Sequence, residues 1–146
     1  MKLLLKPVLY IPLLVAICIP KSEDDILLDA LEQVESGGDI GAVGDRGRAL
    51  GPLQLHKSFW LDALQYAGKK NEGEWKYIDN VWSRSKSRQI VKWYWKKYKC
   101  KTRLEKVCAF HWGPKGAQYA RKVEYYYRRC KMSAVRRRKG KYEGRR

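Results

Sequence analysis

The chain has 146 residues, which is the size of one domain and leaves little room for a second. It carries 32 Lys and Arg against 15 Asp and Glu, a formal net charge of +17 at pH 7. A protein this basic attracts polyanions over long distances, so the partners to consider are bacterial walls, anionic lipid headgroups and nucleic acids.

The charges are unevenly distributed along the chain. Residues 22–45 contain eight acidic residues and no Lys or Arg, whereas residues 83–103 contain nine basic residues and no acidic ones. Residues 131–146 carry eight more basic residues against Glu143 alone. The basic stretch at 83–103 has two interpretations, a surface for a polyanion or an ordinary solvated helix face, and the sequence does not choose between them.

The N-terminal segment has the pattern of a secretory signal peptide. Lys2 and Lys6 give it a positive start, and an apolar run at 8–19 ends at Pro20. That run is shorter than the stretch of about 20 residues that a membrane-spanning helix needs. We therefore assign residues 1–20 to a signal peptide and expect a secreted or exported protein, with a retained N-terminal anchor as the alternative.

The first helix after this segment begins at Ser22, whose hydroxyl can cap it, and acidic residues fill its first turn. Gly37 and Gly38 end the helix, one of them in the left-handed conformation that glycine favours. Glu35 therefore lies on the last turn, beside the apolar stripe of the helix. That stripe has helical spacing and consists of Ile26, Leu27, Ala30, Leu31 and Val34.

The rest of the chain is predicted to be mainly helical with one small β element. The β element is the glycine-rich stretch 40–55, which has no helical period and is typical of a short, irregular hairpin. A capping-box pattern, T-x-x-E at Thr102 and Glu105, opens one of the helices. The helices expected after the β element span residues 58–67, 75–82, 83–98, 102–110 and 117–130.

The domain organisation follows from these elements. Residues 21–131 form one α+β, mainly helical domain. Residues 132–146 are basic and nearly free of large apolar side chains, so we expect this tail to be disordered.

Cysteines and histidines give little sign of a metal site. Export favours disulfides, and Cys100, Cys108 and Cys130 allow one bridge and one free thiol, with the pairing left open. His56 and His111 are far apart, and there is no C-x-x-C motif or metal-ligand spacing. We therefore expect no metal.

Glu35 is a candidate catalytic acid. Hydrolysis of a glycosidic bond needs a carboxylic acid that keeps its proton near neutral pH and gives it to the leaving oxygen. An apolar environment raises the pKa of a carboxyl group because the charged form loses its hydration. Glu35 ends a helix whose apolar face points to the core, but the same position also suits an ordinary surface glutamate.

Three blocks of sequence resemble the lysozyme superfamily. They read VESGG at 34–38, GDRGRALGPLQL at 44–55 with Phe59 and Trp60 after it, and CAFHWGPKG at 108–116. Their order and spacing are similar to those of invertebrate-type lysozymes and their bacterial relatives. The E-S-G pair with a later G-x-x-Q also resembles goose-type lysozymes and bacterial lytic transglycosylases.

The resemblance implies a lysozyme-like fold, with a small β hairpin or sheet beside the helix that carries Glu35. It also implies a secreted muramidase that cleaves the β-1,4 bond between N-acetylmuramic acid and N-acetylglucosamine in peptidoglycan. Positioned carboxylates suffice for this reaction, so no cofactor is expected. A lytic transglycosylase that acts on the same bond is the alternative.

Carried over to this chain, the resemblance makes Glu35 the general acid and Asp45 the second carboxylate, as nucleophile or as stabiliser of the oxocarbenium ion. Asp45 also suits a turn, because residues 44–47 read Gly-Asp-Arg-Gly, and transglycosylases need no second carboxylate. The resemblance further implies six substrate-binding residues: Ser36 and Gln54 on one wall of a cleft, and His111, Trp112, Gly113 and Tyr119 on the other. Trp112 stands where the family usually has a small polar residue.

The expected partners are peptidoglycan, with chitin oligomers as a second possible substrate, and the anionic bacterial cell wall, bound through the basic tail. We expect a monomer and no specific nucleic acid, since the tail resembles no folded nucleic-acid module. A different class of function is also consistent with the charge and the six tryptophans. This is a non-enzymatic cationic protein that binds or permeabilises bacterial envelopes.

Overall fold

The computed structural model describes residues 20–111 and 116–143. The predicted signal peptide lies outside these ranges apart from Pro20. Within them, no helix is both long enough and apolar enough to cross a membrane.

The described chain is mainly helical with one small antiparallel sheet, as predicted for an α+β domain. Single turns of 3₁₀ helix lie at Asp45–Gly47 and Gly73–Trp75. In chain order the other elements are α1 (Glu23–Glu35), β1 (Val43–Gly44), β2 (Ala49–Leu50), β3 (Leu55–His56), α2 (Lys57–Tyr66), α3 (Tyr77–Asn80), α4 (Arg84–Lys97), α5 (Arg103–Phe110) and α6 (Gly116–Glu143).

Both helix starts that the sequence marked with a capping residue are confirmed. Ser22 Oγ accepts a hydrogen bond of 3.1 Å from the Asp25 amide at the start of α1. At the start of α5, Thr102 Oγ1 accepts from the Glu105 amide at 3.2 Å, and the Glu105 carboxylate accepts from the Thr102 amide at 2.9 Å. These reciprocal bonds satisfy amides that a helix start otherwise leaves without partners.

One hydrophobic core holds the helices together. Helix α6 packs along α1, and α4 packs along α2. Leu31, Trp60, Ile90 and Val123 are among the fully buried side chains, one from each of these four helices. The apolar stripe predicted for α1 therefore faces the core, which leaves the end of the helix at the core's edge.

The sheet consists of three two-residue strands in the order β1–β2–β3. Val43 faces Leu50 across the first pair, and Ala49 faces His56 across the second. Gly51, between β2 and β3, has a φ of +74°, and a Cβ there would lie 2.3 Å from the Val81 carbonyl oxygen. Only glycine fits this approach, which holds the sheet against the segment before α4.

The acidic and basic stretches of the sequence pair with each other across the fold. On α1, Asp25 lies 2.7 Å from Lys92, and Asp29 and Glu32 both contact Arg88 at 2.7 Å. The basic stretch at 83–103 is therefore in good part a set of internal partners for α1. Three further ion pairs tie α1 to its neighbours: Arg84–Glu32, Lys106–Asp24 and Lys131–Glu23.

The last helix is longer than the sequence analysis predicted. We expected it to end near Cys130 and residues 132–146 to be disordered, but α6 continues to Glu143. The added segment contains no proline and is rich in Arg and Lys, which are good helix formers. A helix already formed against α1 can therefore propagate through it without further packing.

The expected disulfide is also corrected. None of Cys100, Cys108 and Cys130 forms a disulfide, and they lie after α4, in α5 and in α6 respectively. Burial raises the pKa of the Cys100 thiol, and the charge of Glu105 adds to this effect. An oxidising compartment permits a disulfide, but a bridge also requires two Cβ atoms to lie close together, which the sequence does not specify.

Candidate active site

A groove of about 790 Å³ lies beside the end of α1. Both predicted catalytic carboxylates, Glu35 and Asp45, line it, and so do the predicted binding residues Gln54 and His111. Glu35 comes from the last turn of α1, Asp45 and Gln54 from the β region, and His111 from the end of α5. Four predicted site residues from three separate parts of the chain therefore share one groove.

Glu35 has the environment expected of a proton donor. Burial raises the pKa of its carboxyl group above the ordinary value, because the charged form loses its hydration. Three neighbours act in the opposite direction: Tyr119, whose hydroxyl donates a hydrogen bond to Oε1, and the positive charges of His111 and Lys122. Burial is the largest of these effects, so the group keeps its proton to a higher pH than a free glutamic acid.

Tyr119 and His111 form a stacked pair beside Glu35. Their ring centroids lie 4.0 Å apart and their planes differ by 8°. Burial, followed by the charge of Glu35, raises the pKa of the Tyr119 hydroxyl, so this group remains a hydrogen-bond donor at physiological pH. Tyr119 was predicted to bind substrate. In the structure its hydroxyl donates a hydrogen bond to Glu35, which lies 84 positions earlier in the chain.

Asp45 has a guanidinium group and an imidazole ring as neighbours. Its Oδ1 lies 2.9 Å from the Arg48 guanidinium, and its Oδ2 lies 3.4 Å from Nε2 of His56. The side chain is 40% exposed. Asp45 and Arg46 have φ values of 45° and 55°, so Asp45 also belongs to a tight turn. Asp45 therefore belongs to the turn and also lines the groove. Its predicted role as the second carboxylate stays a prediction.

Ser36 and Gln54 make contacts within the protein. Ser36 Oγ donates to the Pro52 carbonyl at 2.8 Å, which ties the end of α1 to the β region. Gln54 Nε2 donates to the carbonyls of Ala42 at 3.0 Å and Gly51 at 2.9 Å, which braces the sheet from inside. Gln54 also lines the groove, so its predicted contact with substrate stays open.

The groove has an aromatic wall that the sequence analysis did not identify. Phe59 stacks on Tyr94 with ring centroids 3.9 Å apart, Tyr94 lies 4.6 Å from Tyr98, and Phe110 meets Phe59 edge-on at 5.7 Å. All four line the groove. The wall forms where α2, α4 and the end of α5 meet, so it depends on residues that are far apart in the sequence. Such rings give a binding site apolar faces of fixed shape.

A third carboxylate in the groove, Asp62 on α2, was also missed. It accepts from Lys97 Nζ at 2.6 Å and from the Tyr98 hydroxyl at 3.1 Å, both at the end of α4. No signal within α2 could have shown a pairing with residues about 35 positions away. Because Lys97 matches its charge, Asp62 differs from Glu35, which has no cation within ion-pair distance among the described residues.

Two predicted binding residues, Trp112 and Gly113, lie outside the described residues. Within the described ranges, no group of three or more His, Cys, Asp or Glu side chains is placed to hold a metal ion. The described side chains that line the groove carry carboxyl, imidazole, phenol, hydroxyl, carboxamide and aromatic groups.

The chain has no matching family model and no significant match among the curated proteins or the solved structures. The resemblance to lysozymes thus depends on the three sequence blocks, and an activity has to be inferred from the geometry of the groove. That geometry combines a half-buried carboxyl group whose pKa is raised, further carboxyl side chains and a row of aromatic rings.

Proposed function

We propose that this protein is a peptidoglycan-cleaving glycosidase of the lysozyme superfamily, with Glu35 as its general acid. The observation that carries the proposal is the Glu35 carboxyl group, which lies in a large groove at the end of α1 with its pKa raised by burial. A lysozyme-like form of the α+β fold is part of the same proposal. It is supported by the small sheet that follows the Glu35 helix and lines the same groove.

In this mechanism Glu35 protonates the glycosidic oxygen as the bond to the anomeric carbon breaks, so the leaving sugar departs as a neutral alcohol. The carboxylate that remains still accepts the hydrogen bond from Tyr119 and lies in the field of Lys122 and His111. These neighbours favour the charged form, so they stabilise the state that proton transfer produces. The aromatic wall supports the proposal as a surface on which sugar rings can stack.

The fate of the oxocarbenium ion separates two versions of the proposal. In the hydrolytic version Asp45 is the second carboxylate, and water finally adds to the anomeric carbon. In the transglycosylase version the 6-hydroxyl of the muramic acid attacks that carbon and its proton returns to Glu35, which leaves an anhydro product. The ion pair of Asp45 with Arg48 favours the second version, since a paired and exposed carboxylate is a weaker nucleophile.

The experiment compares wild type with Glu35→Gln on purified peptidoglycan and identifies the products by mass spectrometry. We expect the rate to fall by roughly 100- to 10,000-fold, the usual contribution of a general acid. The matched control is Glu72→Gln, which changes a glutamate whose side chain is 74% exposed. Undiminished cleavage by a folded Glu35→Gln protein would contradict the assignment.

The same assay with Asp45→Asn separates the two versions. Hydrolysis through a second carboxylate predicts a strong loss of rate and products that contain an added water. Transglycosylation predicts a nearly unchanged rate and anhydro products that are lighter by one water. A folded wild-type protein that releases nothing from walls of several species, or from chitin oligomers, would leave only the non-enzymatic cationic function.

Export and a peptidoglycan partner fit together, because the polymer lies outside the cytoplasmic membrane. Binding of the anionic wall through the basic C-terminal segment, and the monomeric state, stay predictions. Chitin oligomers share the β-1,4 linkage and the N-acetyl groups of peptidoglycan, so a comparison of the two substrates decides between them.

A further inference from the structure

Beyond Cys130, which packs against the hydrophobic core, the described side chains of α6 lie outside that core. Tyr127 is 3% exposed and is the last buried residue among those of α6 whose burial is described, and residues 128–136 are exposed or half-buried. The helix then continues to Glu143, a stretch of roughly 16 residues or about 24 Å. Lys131 ties the start of this stretch to Glu23 of α1 at 2.9 Å. We refer to residues 128–143 as the α6 arm.

The outer face of this helix combines exposed apolar and basic side chains. Tyr125 is 55% exposed, Met132 56% and Val135 45%. Tyr125 and Met132 are seven residues apart and lie on the side of the helix away from Tyr127, and Val135, three residues after Met132, lies beside them. Three arginines follow the same spacing and lie on the same face: Arg128, Arg129 and Arg136.

The arm carries a strong local excess of positive charge, whereas the positive charge of α4 faces an acidic helix. Arg88 and Lys92 of α4 meet acidic residues of α1. Residues 131–146 hold eight basic residues and one acidic residue, so this segment cannot neutralise its own charge. The pair that Arg128 makes with Glu124 is highly exposed, which makes it a weak competitor for an external anion.

We propose that the outer face of the α6 arm binds the surface of an anionic phospholipid bilayer. In this arrangement the arginines lie among the lipid phosphates, while Met132 and Val135 enter the boundary between headgroups and acyl chains. The exposed apolar side chains are what favour a bilayer over a phosphate polymer such as a wall polymer or a nucleic acid. Such a polymer is bound through the cations and gains nothing from Met132 or Val135.

The proposal does not depend on the glycosidase activity, but it has a geometric consequence for the groove. Tyr119 and the arm belong to one continuous helix, so a bilayer bound to the arm fixes the distance between the Glu35 groove and the membrane. The apolar run at 8–19 can also bind lipid, so the test needs a readout that is local to the arm.

The test is hydrogen–deuterium exchange of the full chain with vesicles, read at the amides of residues 128–143. We expect exchange there to slow by at least about tenfold on vesicles that contain phosphatidylglycerol and to stay unchanged on pure phosphatidylcholine. Unchanged exchange on both kinds of vesicle would overturn the proposal.

Two variants distinguish a bilayer from a polyanion. Replacing the three arginines, Arg128, Arg129 and Arg136, by Gln should abolish the slowing, and the double variant Met132→Ser/Val135→Ser should reduce it several-fold. Matched controls change equally exposed residues elsewhere and should behave as wild type: Lys69, Lys70 and Lys96 to Gln, and Ile40 and Ile78 to Ser. If the serine variant keeps full slowing while the glutamine variant loses it, charge alone acts, and the proposed entry of Met132 and Val135 into the bilayer is overturned.

Discussion

Glu32 and Glu35 lie one turn apart on α1, and the fold surrounds them in opposite ways. Glu32 is 3% exposed and meets two guanidinium groups, Arg84 at 2.8 Å and Arg88 at 2.7 Å. Glu35 accepts a hydrogen bond from the neutral hydroxyl of Tyr119, and burial raises its pKa. Burial alone therefore does not define a proton donor: Glu32 is matched by two guanidinium groups, whereas Glu35 has a hydroxyl partner and no cation within ion-pair distance among the described residues.

The ion pairs around Glu32 also help to position Glu35. Burial acts to lower the pKa of Arg88, but its hydrogen bonds to Glu32 and Asp29 raise it, so Arg88 stays charged. Arg84, the second partner of Glu32, also donates to the Gly38 carbonyl at 2.9 Å, in the turn that directly follows Glu35. The ion cluster therefore holds the end of α1 in place.

The largest effect on stability is expected at Glu32. Glu32→Gln removes the charge that faces two arginines, so the free energy of unfolding should fall by about 2–3 kcal/mol, since breaking one side of a buried ion pair is costly. Urea unfolding at pH 7 measures this change, with Glu72→Gln as the exposed control. A loss no larger than that of the control would show that the cluster contributes little.

The isosteric change Glu35→Gln should instead raise the free energy of unfolding at alkaline pH. A raised folded-state pKa means that the folded protein holds the proton where the unfolded chain has lost it, so this group weakens folding as pH rises through that range. Glu35→Gln should therefore stabilise the protein at pH 8, on the order of 1 kcal/mol, the scale of a single buried substitution.

Unfolding experiments at two pH values check this sign. The advantage of Glu35→Gln should shrink toward pH 4, where the wild-type carboxyl group is protonated in both states. Equal or lower stability than wild type at pH 8 would count against a desolvated Glu35.

Replacement of Tyr119 is expected to change the pH dependence of wall cleavage, with only a small loss of rate. Its hydrogen bond lowers the pKa of Glu35, so Tyr119→Phe should raise that pKa and move the alkaline limb of the pH–rate profile of wall cleavage to higher pH. The maximal rate should fall less than about tenfold, because a hydrogen bond to a charged group is worth about 1.5–3 kcal/mol and only part of it acts in the transition state. Tyr125→Phe, an exposed tyrosine on the same helix, is the control. A limb that stays in place or moves down would contradict the role of Tyr119.

Features that depend on neighbouring residues could be predicted from the sequence. The cap at Ser22, the capping box at Thr102 and Glu105 and the end of α1 at Glu35 are all fixed within a few positions of the chain. Glu35 could be named as a candidate for the same reason. It follows an apolar stripe and precedes two glycines, so its place at the edge of the core is local information.

Features that depend on contacts between residues far apart in the chain could not be predicted from the sequence. The partners of Asp62 and Glu35 lie on other helices, and no spacing within α2 or α1 marks them. The acidic and basic stretches were visible as charge, but their pairing with each other appears only once α1 packs against α4. The predicted end of α6 was wrong because a lack of apolar residues indicates that a segment does not pack in the core, and such a segment can still be helical.

The most direct test of the account is a carbon-13 NMR titration of the Glu35 carboxyl group in the folded protein, assigned by comparison with Glu35→Gln. The account predicts a pKa above the ordinary value of 4.5, because burial outweighs the neighbours that favour the charge. A pKa at or below 4.5 would mean that Glu35 is a solvated carboxylate at neutral pH, and it would contradict its role as the proton donor.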